Sequence, residues 1–295
     1  MKKIMVIGAN GMLGQSLTRK IQENGQYALV TAARHGGADY YIDARDDESV
    51  AECLFSARPD VVVNAAAIVD LRGCEAGKET AYMVNARFPA VLTGYCREIG
   101  AKLVQISTEH YYLDGGRRKH TETDPVVLGN EYARTKYFGE CAALTEPSGL
   151  VLRTNIVGFR GIEERPTFIE WVIGEMLAGR KMRLFTDYFT SSIDTASFSE
   201  YLLLMLEKDA TGIYNLASSE VSNKKEFILS FARECFGREP EYEEAKVDEM
   251  LTGKSSRLHN LGLDVSRTEA LLGVSLPDLA AVTAHLAAEY RERIS

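Results

Sequence analysis

KIMVIGANGMLGQSLTRKIQEN, residues 3–24, is the stretch whose reading decides the fold. Four apolar residues, 4–7, run up to Gly8 and read as a strand, and from Met12 the pattern has helical periodicity. Between them Gly8, Gly11 and Gly14 recur at three-residue intervals. A strand, a glycine turn and a helix in succession let an anion approach the backbone closely, at the electropositive start of the helix. A dinucleotide pyrophosphate is the expected occupant, with Gly8, Asn10, Gly11, Met12 and Leu13 as candidate contacts. The spacing is G-x-x-G-x-x-G, not the G-x-G-x-x-G of many dehydrogenases, and a purely structural turn is the alternative.

The chain beyond it favours the dinucleotide. YALVTAA (27–33) reads as a second strand, YYID (40–43) as a short third, and residues 46–57 as a helix. DVVVNAAA (60–67) is an almost unbroken apolar run, as expected of a strand covered on both faces. A long helix over 78–99, the strand KLVQIST (102–108), a further helix and the strand LVLRTNIVG (150–158) follow. Strands alternating with helices predict an α/β fold with a doubly wound, Rossmann-like parallel sheet. The expected division is a dinucleotide-binding domain over 1–154 and a smaller, mainly helical C-terminal substrate lobe over 155–295. Helices are expected at 167–178, 195–207, 222–236 and 277–293, and part of 187–217, through IYNLAS (213–218), is expected to return to the main sheet.

Composition narrows the function. The 295 residues are 45% hydrophobic and 26% charged, the balance of a soluble globular protein. A net charge of −8 argues against general nucleic-acid binding, which requires a basic face, and the one basic run, RRKH (117–120), reads as a solvated loop. The start of the chain reads as a strand and turn rather than a signal peptide, and no stretch nears the roughly 20 apolar residues that cross a bilayer. Five scattered cysteines (Cys53, Cys74, Cys96, Cys141, Cys235) point to reduced thiols and a cytoplasmic location. The five histidines lack metal-ligand spacing, so no metal site is expected.

Cofactor choice rests on the end of the second strand. An acidic residue there would bind the ribose hydroxyl of NAD, whereas Arg34 suits the 2′-phosphate of NADP, with NAD as the second option. Asp43 either contacts the adenine or caps the following helix. Further along, NEYARTKYFGE (130–140) places Tyr132 and Lys136 on one helix face, with Cβ atoms about 5–6 Å apart. A phenol beside an ammonium ionises more readily than its ordinary pKa of about 10 allows. Phe168 and Trp171 are at helical spacing and read as core, or else as the floor of a pocket.

With PDVVVNAAAIVD (59–70), VNARFPAVL (84–92), STEHYYLDG (107–115) and RLHNLGLDVSRTEALLGVSLPDL (257–279), these motifs resemble the extended short-chain dehydrogenase/reductases. More narrowly, the chain is similar to the dTDP-4-dehydrorhamnose reductase family. The resemblance implies hydride transfer to the C4 ketone of a nucleotide-linked deoxysugar, with a nucleotide sugar as partner and a homodimer left open. It implies Thr108 as the hydroxyl on the reacting carbonyl, Tyr132 as proton donor and Lys136 as the residue on the nicotinamide ribose. It also implies Ala65, Ala66 and Ala67 beside the cofactor and Asn85 as a helix-side support. Glu109, His110 and Arg257 are the substrate candidates. STEHYYLDG is one residue longer than the usual S-T-D-Y-V-F-D-G, and DYFTSSID (187–194) lacks a Gly-x-Pro-Thr. A dehydratase or epimerase, and a cofactor-binding regulatory subunit without turnover, are the competing readings.

Overall fold

A computed structural model describes residues 1–112, 116–247 and 259–294. The chain forms two compact units, Met1–Thr108 with Leu128–Arg153 and Leu202–Tyr214, and Glu109–Val127 with Thr154–Tyr201 and Asn215–Ser295.

In the first unit β1 (Lys3–Ile7), α1 (Met12–Asn24), β2 (Ala28–Ala33), β3 (Tyr40–Tyr41), α2 (Asp47–Ala57) and β4 (Val61–Asn64) come in turn. After them come α3 (Leu71–Ala76), α4 (Lys78–Tyr82), a π turn (Met83–Arg87), α5 (Phe88–Ile99), β5 (Lys102–Ile106), α6 (Glu131–Ala143) and β6 (Leu150–Arg153). The strands lie in the order β3-β2-β1-β4-β5-β6, every pairing parallel. Alternate residues Met5, Ile7, Val62, Leu103 and Val151 pack against α2, α5 and Ala143 in one core. Their neighbours Ile4, Val6, Val63 and Val104 point the other way and are also fully buried, so both sheet faces are covered. Left-handed glycines end two helices: Gly25 (φ 66°) stops α1 and Gly100 (φ 74°) stops α5.

The second unit opens after β6 with β7 (Asn155–Val157), α7 (Phe168–Leu177), β8 (Met182–Phe185), β9 (Phe189–Thr190) and β10 (Ser192–Asp194). From there α8 (Thr195–Glu207) takes the chain back into the first unit, at Leu202, and leads into β11 (Gly212–Asn215), which lies beside β6 in the seven-stranded sheet. β12 (Ser222–Asn223), α9 (Lys224–Phe236), β13 (Tyr242–Ala245), β14 (Asn260–Leu261), α10 (Ser266–Leu272) and α11 (Leu279–Ile294) complete the described chain. Its core joins Ile169, Val172 and Ile173 of α7 with Phe227, Phe231, Val282 and Leu286. Capping boxes start α7 (Thr167 with Glu170) and α9 (Asn223 with Glu226).

Four sequence expectations need correction. LVLRTNIVG is two strands: Ser107 N makes the last ladder bond, to Leu152 O, and past Arg153 the backbone pairs with β10 instead. Periodicity cannot show where a partner strand ends. RRKH is not uniformly solvated. Arg117 donates to Val221 O and pairs with Glu226, Lys119 donates to Ser219 O, and His120 is buried with its ring stacked 4.1 Å from that of Tyr112. Asp43 does not cap α2; Asp46 does, accepting from Glu48 N. Nor is Trp171 core, since it is 39% exposed.

The helix read over 78–99 is continuous but widens at the π turn, a feature common at functional sites. The turn carries Asn85, whose amide accepts from Ile68 N at 2.9 Å and donates to Ile68 O at 2.9 Å. Against it lies Gly139 of α6, where an added Cβ would stand 2.4 Å from Asn85 O. Gly139→Ala should therefore push α6 off the π turn and lower stability by about 1–3 kcal/mol, the usual range for overpacking. Urea unfolding with an unchanged m value would measure it.

Candidate active site

In a sheet of this strand order, ligands bind beyond the carboxyl ends of the strands where the order reverses, here between β1 and β4. The glycine turn follows β1 and Ala65–Ala66–Ala67 follow β4, and both line a cavity of about 510 Å³ with Asn10, Gly11, Arg34, His35 and Asp43. Gly8 has φ 83°, and a Cβ there would lie 2.9 Å from Ala66 N, so only glycine allows the two turns to meet. Gly14 lets α1 sit on the turn: its Cβ would fall 2.1 Å from Gly8 O. Gly11 is the N-cap of α1 and brings no capping side chain, which leaves the helix start to an anion. The cradle thus suits a dinucleotide pyrophosphate. Met12 and Leu13 open α1 just outside the lining, with Leu13 buried. Asn10 reaches over to the loop after β2, donating to His35 O and to Gly36 O at 2.8 Å.

At the far side Arg34 is exposed and its Nε donates to His35 Nε2 at 3.0 Å. Asp43 is already engaged. Arg45 grips it with Nε at 3.2 Å and Nη2 at 3.0 Å, and Arg45 N adds a bond at 3.0 Å. The Arg45 hydrogen bond holds the Asp43 carboxyl below the usual carboxylate range, against the cost of burial. Arg45, absent from the sequence reading, is two residues from Asp43, and that spacing is its only signal.

Tyr132, Lys136 and Thr108 are all buried in the first unit, and none lines the 510 Å³ cavity. The Lys136 ammonium donates to Ile106 O at 2.6 Å, which fastens α6 to the end of β5 two residues before Thr108. Gln105 Nε2 donates to the same carbonyl at 3.0 Å while its Oε1 accepts from Asn64 Nδ2 at 2.8 Å. Asn64 Oδ1 in turn accepts from Ala66 N at 3.2 Å, so one chain of hydrogen bonds joins the alanine turn to the lysine. Burial pushes Lys136 down to about 8, with Glu140 and Cys74 opposing. Cys74 packs with Ala81 and Tyr132, and burial lifts its thiol to about 11.

One turn beyond Lys136, Glu140 accepts from Ser107 Oγ at 2.6 Å and from Arg153 through Nε at 3.1 and 3.2 Å and Nη2 at 2.8 Å. The two charged side chains are 1% and 2% exposed. Neither Ser107 nor Glu140 was singled out in the sequence. The signal was Arg153 at the end of an apolar strand, where a buried cation requires a carboxylate.

In the second unit Glu109 is fully buried. Asn155 Nδ2 donates to its Oε1, and Oε2 has no hydrogen-bond partner among the described residues. Burial holds the Glu109 carboxyl well above the usual range, against the attraction of Lys224. The Lys224 ammonium, lowered by burial, lies 4.7 Å from the Phe168 ring centroid and 5.6 Å from that of Tyr188. With Trp171, Arg183, Phe185 and Ile228, these three line a second cavity of about 250 Å³. His110 is half-buried, and Arg257 lies outside the described residues. Among the described residues no group of three or more His, Cys, Asp or Glu could hold a metal, and no helix is long and apolar enough to cross a membrane.

A seven-stranded doubly wound sheet with a glycine cradle and a buried Tyr/Lys helix defines the Rossmann-type class. Within it, the chain belongs to the family of the RmlD substrate binding domain, whose model matches residues 1–292. It is 30% identical over 295 residues to the probable low-salt glycan biosynthesis reductase Agl14 of Haloferax volcanii, covering 95% of this chain and 96% of that protein. It is 29% identical over 248 residues to a dTDP-4-dehydrorhamnose reductase of Mycobacterium tuberculosis, covering 81% and 77%. The solved dTDP-4-dehydrorhamnose reductase of Clostridium acetobutylicum has the same fold, with a TM-score of 0.87 at 20% identity over 98% and 99% of the two chains. That of Bacillus anthracis, in complex with NADP, gives 0.86 at 19% over 98% and 100%.

Arg153→Met should leave Glu140 as an uncompensated buried charge. A loss of about 3–5 kcal/mol is expected, measurable as a fall in the urea midpoint.

Proposed function

We propose that the protein is an NADPH-dependent nucleotide-sugar reductase, with NADH as second cofactor, acting on the C4 ketone of a deoxysugar such as that of dTDP-4-dehydrorhamnose. One observation carries the reading: Tyr132 and Lys136 stand one turn apart on α6, with the lysine fixed to Ile106 O just before Thr108. The relatives' names support it, since Agl14 is called a reductase and the Bacillus anthracis protein was solved with NADP.

In this reading residues 1–154 hold the dinucleotide and 155–295 the sugar nucleotide, in the cytoplasm. Gly8, Asn10, Gly11, Met12 and Leu13 take the pyrophosphate, Arg34 the 2′-phosphate, and Asp43 and Ala65–Ala67 the adenosine side. The bound cofactor supplies the hydride. Thr108 donates a hydrogen bond to the ketone oxygen as negative charge develops there. Tyr132 delivers its phenolic proton to that oxygen, and the positive charge of Lys136 makes the departing phenolate less unfavourable. Lys136 also binds the nicotinamide ribose, and Asn85 supports the wall through Ile68. Glu109, His110 and Arg257 are assigned to the substrate.

Glu109 gives a second reading some footing, because a carboxyl held protonated is what a dehydratase or epimerase uses as an acid. Stoichiometry separates the two: a reductase oxidises one reduced cofactor per sugar, while the others regenerate theirs. Binding of cofactor without reduction of any 4-keto nucleotide sugar would favour a regulatory subunit.

Arg34→Ala should lower the NADPH/NADH ratio of kcat/KM by roughly 10- to 100-fold, the equivalent of one charge-assisted hydrogen bond of about 1.5–3 kcal/mol. An unchanged ratio would remove Arg34 from the phosphate.

Tyr132→Phe should keep cofactor affinity and lower turnover by about 10²–10⁴-fold. Lys136→Met should weaken both. Near-normal turnover in Tyr132→Phe, followed by NADPH absorbance, would rule out the tyrosine as proton donor.

A further inference from the structure

Ser107, Glu140 and Arg153 touch neither cavity, yet they occupy the space behind the residues assigned to the chemistry. A buried carboxylate–guanidinium pair gives weak stability, because desolvation cancels much of the attraction. Its placement is therefore the informative feature. Glu140 is one helical turn from Lys136 and receives the hydroxyl of the residue directly before Thr108. Arg153, at the end of β6, closes the unit from below with three contacts to the carboxylate.

We infer that Ser107, Glu140 and Arg153 are positioning residues that lock the Thr108 strand end to the Tyr132–Lys136 helix and keep Lys136 charged. The inference rests on the reductase reading for its link to turnover, but not for its electrostatics.

Two geometric facts support the lock. Ser107 is held at both ends, its N–H on Leu152 O at 2.8 Å and its hydroxyl on Glu140 at 2.6 Å. The next residue back, Ile106, carries the carbonyl that receives Lys136. Two successive residues of one strand end are thus tied to two successive turns of α6. A slide of the helix by one residue would break both ties.

The electrostatic role follows from what surrounds the ammonium. On its own helix Lys136 has Tyr132 and Glu140 one turn to either side. From α3 it meets Cys74, whose thiol is protonated at neutral pH. Glu75 on that helix is turned to the start of α6, where it accepts from Glu131 N at 2.8 Å, and Lys78 of α4 lies near both carboxylates there. From β5 comes the Ile106 carbonyl, and from β6 comes Arg153, which pairs with Glu140. Glu140 is the one carboxylate within a turn of Lys136 on α6. Without it, burial acts on a lysine that is 3% exposed against the weaker opposition of Cys74.

The test reads Lys136 directly, in the free protein. With lysine side chains labelled with carbon-13, and the Lys136 signal assigned by its loss in Lys136→Met, its titration is followed by NMR. Glu140→Gln should lower the midpoint by about one pH unit or more. Because that variant leaves Arg153 unpaired and is prone to unfold, Glu140→Gln/Arg153→Met is measured beside it. The double variant removes both charges and should show a smaller fall in the same direction. An unchanged midpoint in the folded double variant would reduce the unit to a structural clamp and overturn the inference. NADPH affinity against pH, titrated on the same proteins, should lose its alkaline limb at correspondingly lower pH. A shifted Lys136 midpoint with pH-independent NADPH affinity would instead remove Lys136 from the cofactor, and the failure would belong to the functional reading alone.

Discussion

A lysine ammonium cannot be buried without an oxygen to receive it, and most of the first unit's local geometry follows from satisfying Lys136. Its carbonyl partner belongs to Ile106, so α6 must lie against the end of β5. That proximity needs Gly139, because any larger residue would strike the π turn of the neighbouring helix. The π turn in turn aims Asn85 at Ile68, the residue directly after the alanine turn that follows β4. From Asn64 through Gln105 to Ile106, a run of amides carries the same constraint into the sheet. The cradle for the anion and the helix with the tyrosine are thereby parts of one hydrogen-bonded frame.

The second unit meets a comparable demand in another way. Glu109 is buried and Lys224 half-buried, and each is shifted toward its neutral form by the loss of water. Aromatic rings do part of what solvent would do for Lys224, since the faces of Phe168 and Tyr188 carry negative charge density.

Local features of the chain were legible because they depend on neighbours in sequence. The glycine turn, the apolar runs of the parallel sheet and the Tyr132–Lys136 spacing each lie within a dozen residues, where periodicity and apolar runs separate strand from helix. What escaped notice joins distant positions: Glu140 with Arg153, Glu109 with Lys224, Ser107 with Glu140. Charge pairs of this kind leave no periodic trace. The break at Thr154 was hidden for a related reason, since a strand's composition is unchanged when its partner changes from β5 to β10. Of the two roles open to Asp43, the cap fell to Asp46, three residues on, which offers the same chemistry in a better place.

The thiol of Cys74 has its own consequence. At neutral pH a group of pKa about 11 is ionised in only about one molecule in ten thousand, and it is the thiolate that oxidants and alkylating agents attack. Cys53 and Cys96, lifted to about 12, are more inert still. Cys141, one residue past Glu140, is the exposed one of the five. Of the five thiols, the one most open to reagents in solvent is therefore on the outer side of α6, although burial raises its pKa too, while the sulfur packed against Tyr132 is chemically silent.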